Sequence, residues 1–150
     1  MLAVIFFAGQ LFVHRNLVTG YPPEISEATI TNQSVVQDIS QGPGIIYFWA
    51  DWCGICRLMK DPIKQVFQDY TGISVAMRSG DAEKIRQYLH QEGLDWATVA
   101  DEQGHIGSRF GVKGVPTVFF LGRDGEIKLT SVGYTSETGL RLRLWLAGLL

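Results

Sequence analysis

The chain has 150 residues, 46% of them apolar and 19% charged, with a formal net charge of −2. That length fits one domain with a sizeable core, and no stretch has the composition of a disordered segment. Near-neutral charge without a Lys/Arg cluster excludes an electrostatic footprint for nucleic acid, and two cysteines are too few for a disulfide framework or a four-cysteine zinc site.

Met1 to Val13 is apolar apart from Gln10. As a helix this run would span about 20 Å, short of the roughly 30 Å hydrocarbon core of a bilayer. It lacks the basic start and the small-x-small cleavage site of a signal peptide. Three readings fit it: a membrane anchor truncated at its start, with Met1 not the true initiator; a shortened signal or interfacial segment; or a core strand. Residues 1–16 are therefore expected to be an anchor or signal remnant. Residues 17–27, with Gly20 and Pro22-Pro23, read as an extended linker, and 28–150 as the folded domain.

Within that domain, residues 28–31 suit a short strand. Asn32 or Ser34 can cap a brief helix to Ile39, and Gln41-Gly42-Pro43-Gly44 stops it. Ile45 to Ala50 is apolar on both faces, as a central strand covered on both sides should be. A helix is predicted from Cys53 to about Tyr70, kinked at Pro62. A strand follows over residues 73–78, then a helix from an Asp81 cap to Gln91 that stops at Gly93. Residues 96–99 look strand-like, and 106–110 form one or two helical turns. Thr117 to Leu121 and Ile127 to Val132 form a hairpin across an Asp124-Gly125 turn. The Leu/Arg/Ala-rich tail from Ser136 favours a helix, with Arg141 and Arg143 snorkelling. Strands alternating with helices, closed by a hairpin and a helix, predict an α/β fold with a central mixed sheet.

The two cysteines stand in Trp52-Cys53-Gly54-Ile55-Cys56, between the apolar strand and the helix. The first helical turn offers unpaired backbone N–H groups and the positive end of the helix dipole, which stabilise a thiolate. Cys53, nearer the helix start, is the candidate nucleophile. It attacks a substrate disulfide, and Cys56 then attacks Cys53 and releases the reduced substrate. A permanent Cys53–Cys56 staple is the plain alternative, but so small a ring constrains little chain entropy. A Cu(I)-binding or carrier module using the same two soft thiolates is the functional alternative. His14, His90 and His105 have no metal-ligand spacing, so neither a metal site nor a cofactor is expected.

Phe48-Trp49-Ala50-Asp51-Trp52-Cys53-Gly54-Ile55-Cys56 resembles the active-site signature of the thioredoxin superfamily. Gly111-Val112-Lys113-Gly114-Val115-Pro116-Thr117 resembles that superfamily's cis-proline loop. The resemblance leans towards the TlpA-like branch, and within it to periplasmic oxidoreductases of the suppressor-of-copper-sensitivity type. It implies a thioredoxin-like fold with helices on both faces of the sheet and a cis Val115–Pro116 bond beside the sulfurs. It also implies a substrate surface formed by Trp52, Gly54, Ile55, Val115 and Pro116. Protein substrates with cysteines, a DsbD-type membrane electron donor, a location on the periplasmic side of the bacterial inner membrane and a role in copper tolerance come with it. Direction as reductant or isomerase-type partner is the expectation.

The chain departs from that pattern in three places. Where thioredoxin carries a buried aspartate, six residues before the first cysteine, this chain has Tyr47. The glutamate common after the second cysteine in the TlpA-like branch is missing; Arg57-Leu58-Met59-Lys60 stands there, with Asp61 the nearest acid. Pro62 falls one residue later than the proline of thioredoxin's helix. The proton acceptor for the dithiol is thus not assigned by the motif.

Overall fold

The structure, a computed structural model, describes residues 15–27, 29–30, 39 and 42–150. The apolar run at residues 1–13 and the expected helix up to Ile39 lie largely outside the described residues. Among the described residues, no helix is long and apolar enough to cross a membrane.

Among the described residues, five strands and four helices follow in chain order: β1 (Gly44–Trp49), α1 (Gly54–Asp69), β2 (Thr71–Met77), α2 (Ala82–Glu92), β3 (Thr98–Asp101), α3 (His105–Arg109), β4 (Thr117–Leu121), β5 (Ile127–Val132) and α4 (Glu137–Leu149). The sheet runs β3-β2-β1-β4-β5. β1 pairs parallel with β2, and β2 parallel with β3; β4 is antiparallel to both β1 and β5. β1 is therefore central, and every one of its residues is buried.

Side chains of a strand alternate between faces, so each strand feeds two cores. Ile45, Tyr47, Trp49, Val118 and Phe120 meet Met59, Ile63 and Val66 of α1, Ile85 and Leu89 of α2, and Leu140, Leu144 and Ala147 of α4. On the other face Ile46, Phe48, Val75, Phe119 and Leu121 meet Ile106 of α3, Phe110, Ile25 and Ile39. This is the mixed-sheet thioredoxin-like architecture the sequence predicts, covered on both faces.

The segment read as an extended linker lies against this second face. Val18 N–H donates to the Phe110 carbonyl (3.1 Å), Gly20 bridges to Ile127, and Ile25 is buried. Arg109 reaches the Glu24 carbonyl (3.1 Å) and the Glu27 carboxylate (2.7 Å).

Two strands start two residues away from the sequence reading. β2 begins at Thr71 rather than Ile73, because Thr71 and Gly72 pair with Gly44 and Ile45. β3 lies two residues later than expected, over Thr98–Asp101 in register with Ser74 to Met77. Trp96 is released from the strand and turns into the core, edge-on to Tyr47, Trp49 and Phe67. α2 has the ends its sequence specifies: the Asp81 carboxylate accepts from Lys84 N–H (2.9 Å), and Gly93 closes it with φ of 63°.

Candidate active site

β1 delivers the chain to the N-terminus of α1, and Cys53 is the residue that caps the helix. Its backbone is extended, and its sulfur accepts from Cys56 N–H at 3.2 Å. Cys56 sits one turn in, with a Cα–Cα distance of 5.2 Å, and the two sulfurs are joined in a disulfide. Cys53 is 7% exposed and Cys56 6%. Cys56 belongs to the buried stripe of α1 with Met59, Ile63 and Val66.

Of the residues expected to form a substrate surface, Gly54 is exposed, as are Trp52 (62%) and Ile55 (46%). The Trp52 indole is held at its rim, where Nε1 donates to the Arg78 carbonyl at 3.1 Å. Arg78 has φ of 47°, a left-handed conformation rare for a residue with a side chain. The Ser79 hydroxyl accepts from Asp51 N–H (3.0 Å) and donates to the Met77 carbonyl (3.0 Å), tying the loop after β2 to the loop before α1.

The second motif arrives from the loop before β4. The Val115–Pro116 peptide bond is cis, and the Val115 carbonyl oxygen stands 3.7 Å from Cys53 Sγ. Pro116 is buried, and its carbonyl accepts from Gly133 N–H (2.9 Å). The exposed Tyr134 that follows on the same turn was not singled out in the sequence. The five expected surface residues thus lie on the loop before α1, the first turn of α1 and the loop before β4, which converge on the disulfide.

Behind the sulfurs the site is aromatic. Trp49 is core, as expected: its Nε1 donates to Ser74 Oγ (3.0 Å), which lies 2.8 Å from Thr98 Oγ1, whose hydroxyl donates to the Trp96 carbonyl (3.0 Å). Tyr47, in the position of the missing aspartate, is buried, and burial pushes its phenol well above the ordinary tyrosine range. Asp61 faces solvent and is remote from the buried stripe of α1. The acid side chain thioredoxin places here has no equivalent at either position. Lys60 takes the place next to Cys56 instead. A small cavity is lined by Tyr47, Trp49, Cys56, Lys60, Tyr88, Leu94 and Trp96. The signal for Lys60 was its spacing: four residues after Cys56, it shares that face of the helix.

A dithiol capping a helix, opposite a cis-proline loop on a five-stranded mixed sheet, defines the class of thioredoxin-fold thiol–disulfide oxidoreductases. Residues 33–146 match the thioredoxin-like domain family. The chain is 33% identical over 142 residues to a thioredoxin-like protein of Haemophilus influenzae, covering 91% of this chain and 83% of that one. It belongs to the thioredoxin-like family. Its fold is also that of a secreted Mycobacterium tuberculosis disulfide oxidoreductase homologous to E. coli DsbE (TM-score 0.68, 19% identity, 81% of this chain and 95% of that one). A secreted thiol-disulfide isomerase of Corynebacterium glutamicum is similar in the same way (TM-score 0.72, 16% identity, 84% of each chain).

Proposed function

We propose that this protein exchanges disulfides with cysteine-containing proteins outside the cytoplasm, with Cys53 as nucleophile and Cys56 as resolving thiol. The observation that carries the reading is the Cys53–Cys56 disulfide at the N-cap of α1, with Val115 across from Cys53. In the reduced protein, the N-terminal N–H groups of α1 favour the Cys53 thiolate. It attacks a substrate disulfide, and one substrate sulfur leaves with the electron pair. Cys56 then gives up its proton and attacks Cys53, forming the Cys53–Cys56 bond and releasing the second substrate sulfur. Trp52, Gly54, Ile55, Val115 and Pro116 present the surface on which an extended chain lies, with the Val115 backbone available to pair with it.

The extracytoplasmic setting is supported by two solved fold relatives described as secreted. By resemblance, the protein acts as a reductant or isomerase-type partner fed by a DsbD-type membrane donor. It is held at the periplasmic side of the inner membrane by residues 1–16 and contributes to copper tolerance. The test is insulin reduction with a thiol reductant. Wild-type protein accelerates precipitation of the insulin B chain, Cys53→Ala abolishes the acceleration, and Cys56→Ala accumulates a mixed disulfide on Cys53. A wild-type protein no faster than the reductant alone, yet binding Cu(I) against a strong chelator, would replace this reading with the copper-carrier one.

A further inference from the structure

The resolving step needs Cys56 to lose a proton, yet Cys56 is buried and neither Tyr47 nor Asp61 supplies an acid beside it. What lies behind the sulfur is the small cavity between β1, α1 and α2. It leaves roughly 10 Å³ for the centre of a water, about enough for one molecule. Its lining carries polar groups, Tyr88 among them. The Trp96 indole N–H is buried without a hydrogen-bond partner among the described residues, and is the natural donor to a water there. Tyr47 supplies a phenol that burial keeps neutral. Lys60 supplies a cation, and its ammonium is paired with Glu92 at the end of α2.

We propose that Lys60 is the positioning residue for Cys56: its ammonium, anchored by Glu92 at the mouth of a one-water cavity behind the sulfur, holds Cys56 towards its thiolate form. This deepens the proposed exchange and rests on it. The Cys56 proton leaves through the cavity water to solvent beside the ion pair. The Cys56 sulfur bonds to Cys53, the bond from Cys53 to substrate breaks, and the substrate thiolate takes a proton from solvent. Lys60 lines the cavity and Glu92 does not, and on that placement the cation sets the sign. The other groups that face this cluster come from every side. Tyr47 is on β1; Tyr88 of α2 stands among Glu92, Lys60, Arg57 and Asp51; Asp61 is the next residue on α1. Asp51 is itself paired with Lys84 at 3.0 Å.

The test reads the Cys56 pKa directly, by pH-dependent alkylation and thiolate absorbance in a Cys53→Ser background. Lys60→Met, which keeps the apolar stem, raises the Cys56 pKa by about 1, a tenfold loss of thiolate at neutral pH. Lys60→Arg restores it. Glu92→Gln, which removes the opposing charge, lowers it. Opposite displacements from the two halves of one ion pair separate an electrostatic role from a structural one, which would move both variants alike. No displacement in either variant, or displacement in the same direction, overturns the proposal. Should Lys60→Met fail to fold, the sign from Glu92→Gln alone decides. Insulin reduction by wild-type protein is a separate readout, so failure of the exchange reading and failure of this one are told apart.

Discussion

Tyr47 shows most plainly how one residue changes the chemistry behind a familiar motif. A buried carboxylate is an acid within reach of neutral pH, whereas a buried phenol is not; burial pushes Tyr47 further from it, with Tyr88 adding to the effect. The linkage has a definite sign. A group whose folded pKa is raised contributes fully to stability below its unfolded pKa, and that stability is lost as pH rises towards the folded value. Tyr47 therefore makes the fold alkali-sensitive above about pH 10, by up to about 1.4 kcal/mol per pH unit. Denaturant titrations from pH 9 to 11.5 should show a shallower decline for Tyr47→Phe than for wild type; identical slopes would place the phenol's titration elsewhere. The hydroxyl chain from Trp49 through Ser74 and Thr98 predicts a cost of about 1–3 kcal/mol for Ser74→Ala, because Trp49 Nε1 loses its acceptor in the core. Urea midpoints measure it. At this scale the cysteines, the cis Val115–Pro116 bond and the core role of Trp49 were legible in the sequence. Lys60 was legible only as a neighbour of Cys56 on the helix, because its meaning depends on Tyr88 and Glu92, which only the docking of α2 brings to Lys60.

Among the elements, α1 carries the most. Its N-terminus holds the disulfide, while Met59, Ile63 and Val66 bury its inner face on β1 and α4. Ile63 is fully buried, so Ile63→Ala should cost about 2–5 kcal/mol. Chemical denaturation reads that loss, and the variant should keep its thiol chemistry while folded. α2 depends on its caps: Asp81→Ala removes the acceptor of Lys84 N–H and should cost about 1 kcal/mol, without altering the dithiol. The ends of α2 were legible because Asp81 and Gly93 are local signals. The ends of β2 and β3 were not. Whether Thr71 and Gly72 belong to a strand depends on Gly44 and Ile45, and the displacement of β3 follows from its register with β2, neither of which is written in the segment itself.

Across the whole molecule, a central strand buried on both faces organises two cores, and the site lies where β1, the loop after β2 and the loop before β4 end together. A central mixed sheet with helices on both faces could be expected from the alternation of segments and the superfamily resemblance. The seating of residues 15–27 on the second face could not, since Gly20 and Pro22-Pro23 carry the composition of a linker. Their place is fixed from outside, by Phe110, Ile127 and Arg109. Gly111 shows how close that approach is: at φ of 71° a side chain there would drive into the Asn16 carbonyl.

In the proposed exchange, Cys53 and Cys56 form a dithiol built to open and close. The most direct test is the equilibrium between the oxidised and reduced pair in glutathione buffers, followed by tryptophan fluorescence, since Trp49 and Trp52 flank the disulfide. The pair should show a single reversible two-electron transition, with a potential nearer thioredoxin's, about −270 mV, than DsbA's, about −120 mV. A potential at the DsbA end would reverse the proposed direction of electron flow, and the absence of any reversible transition would mean that the pair is not a redox dithiol.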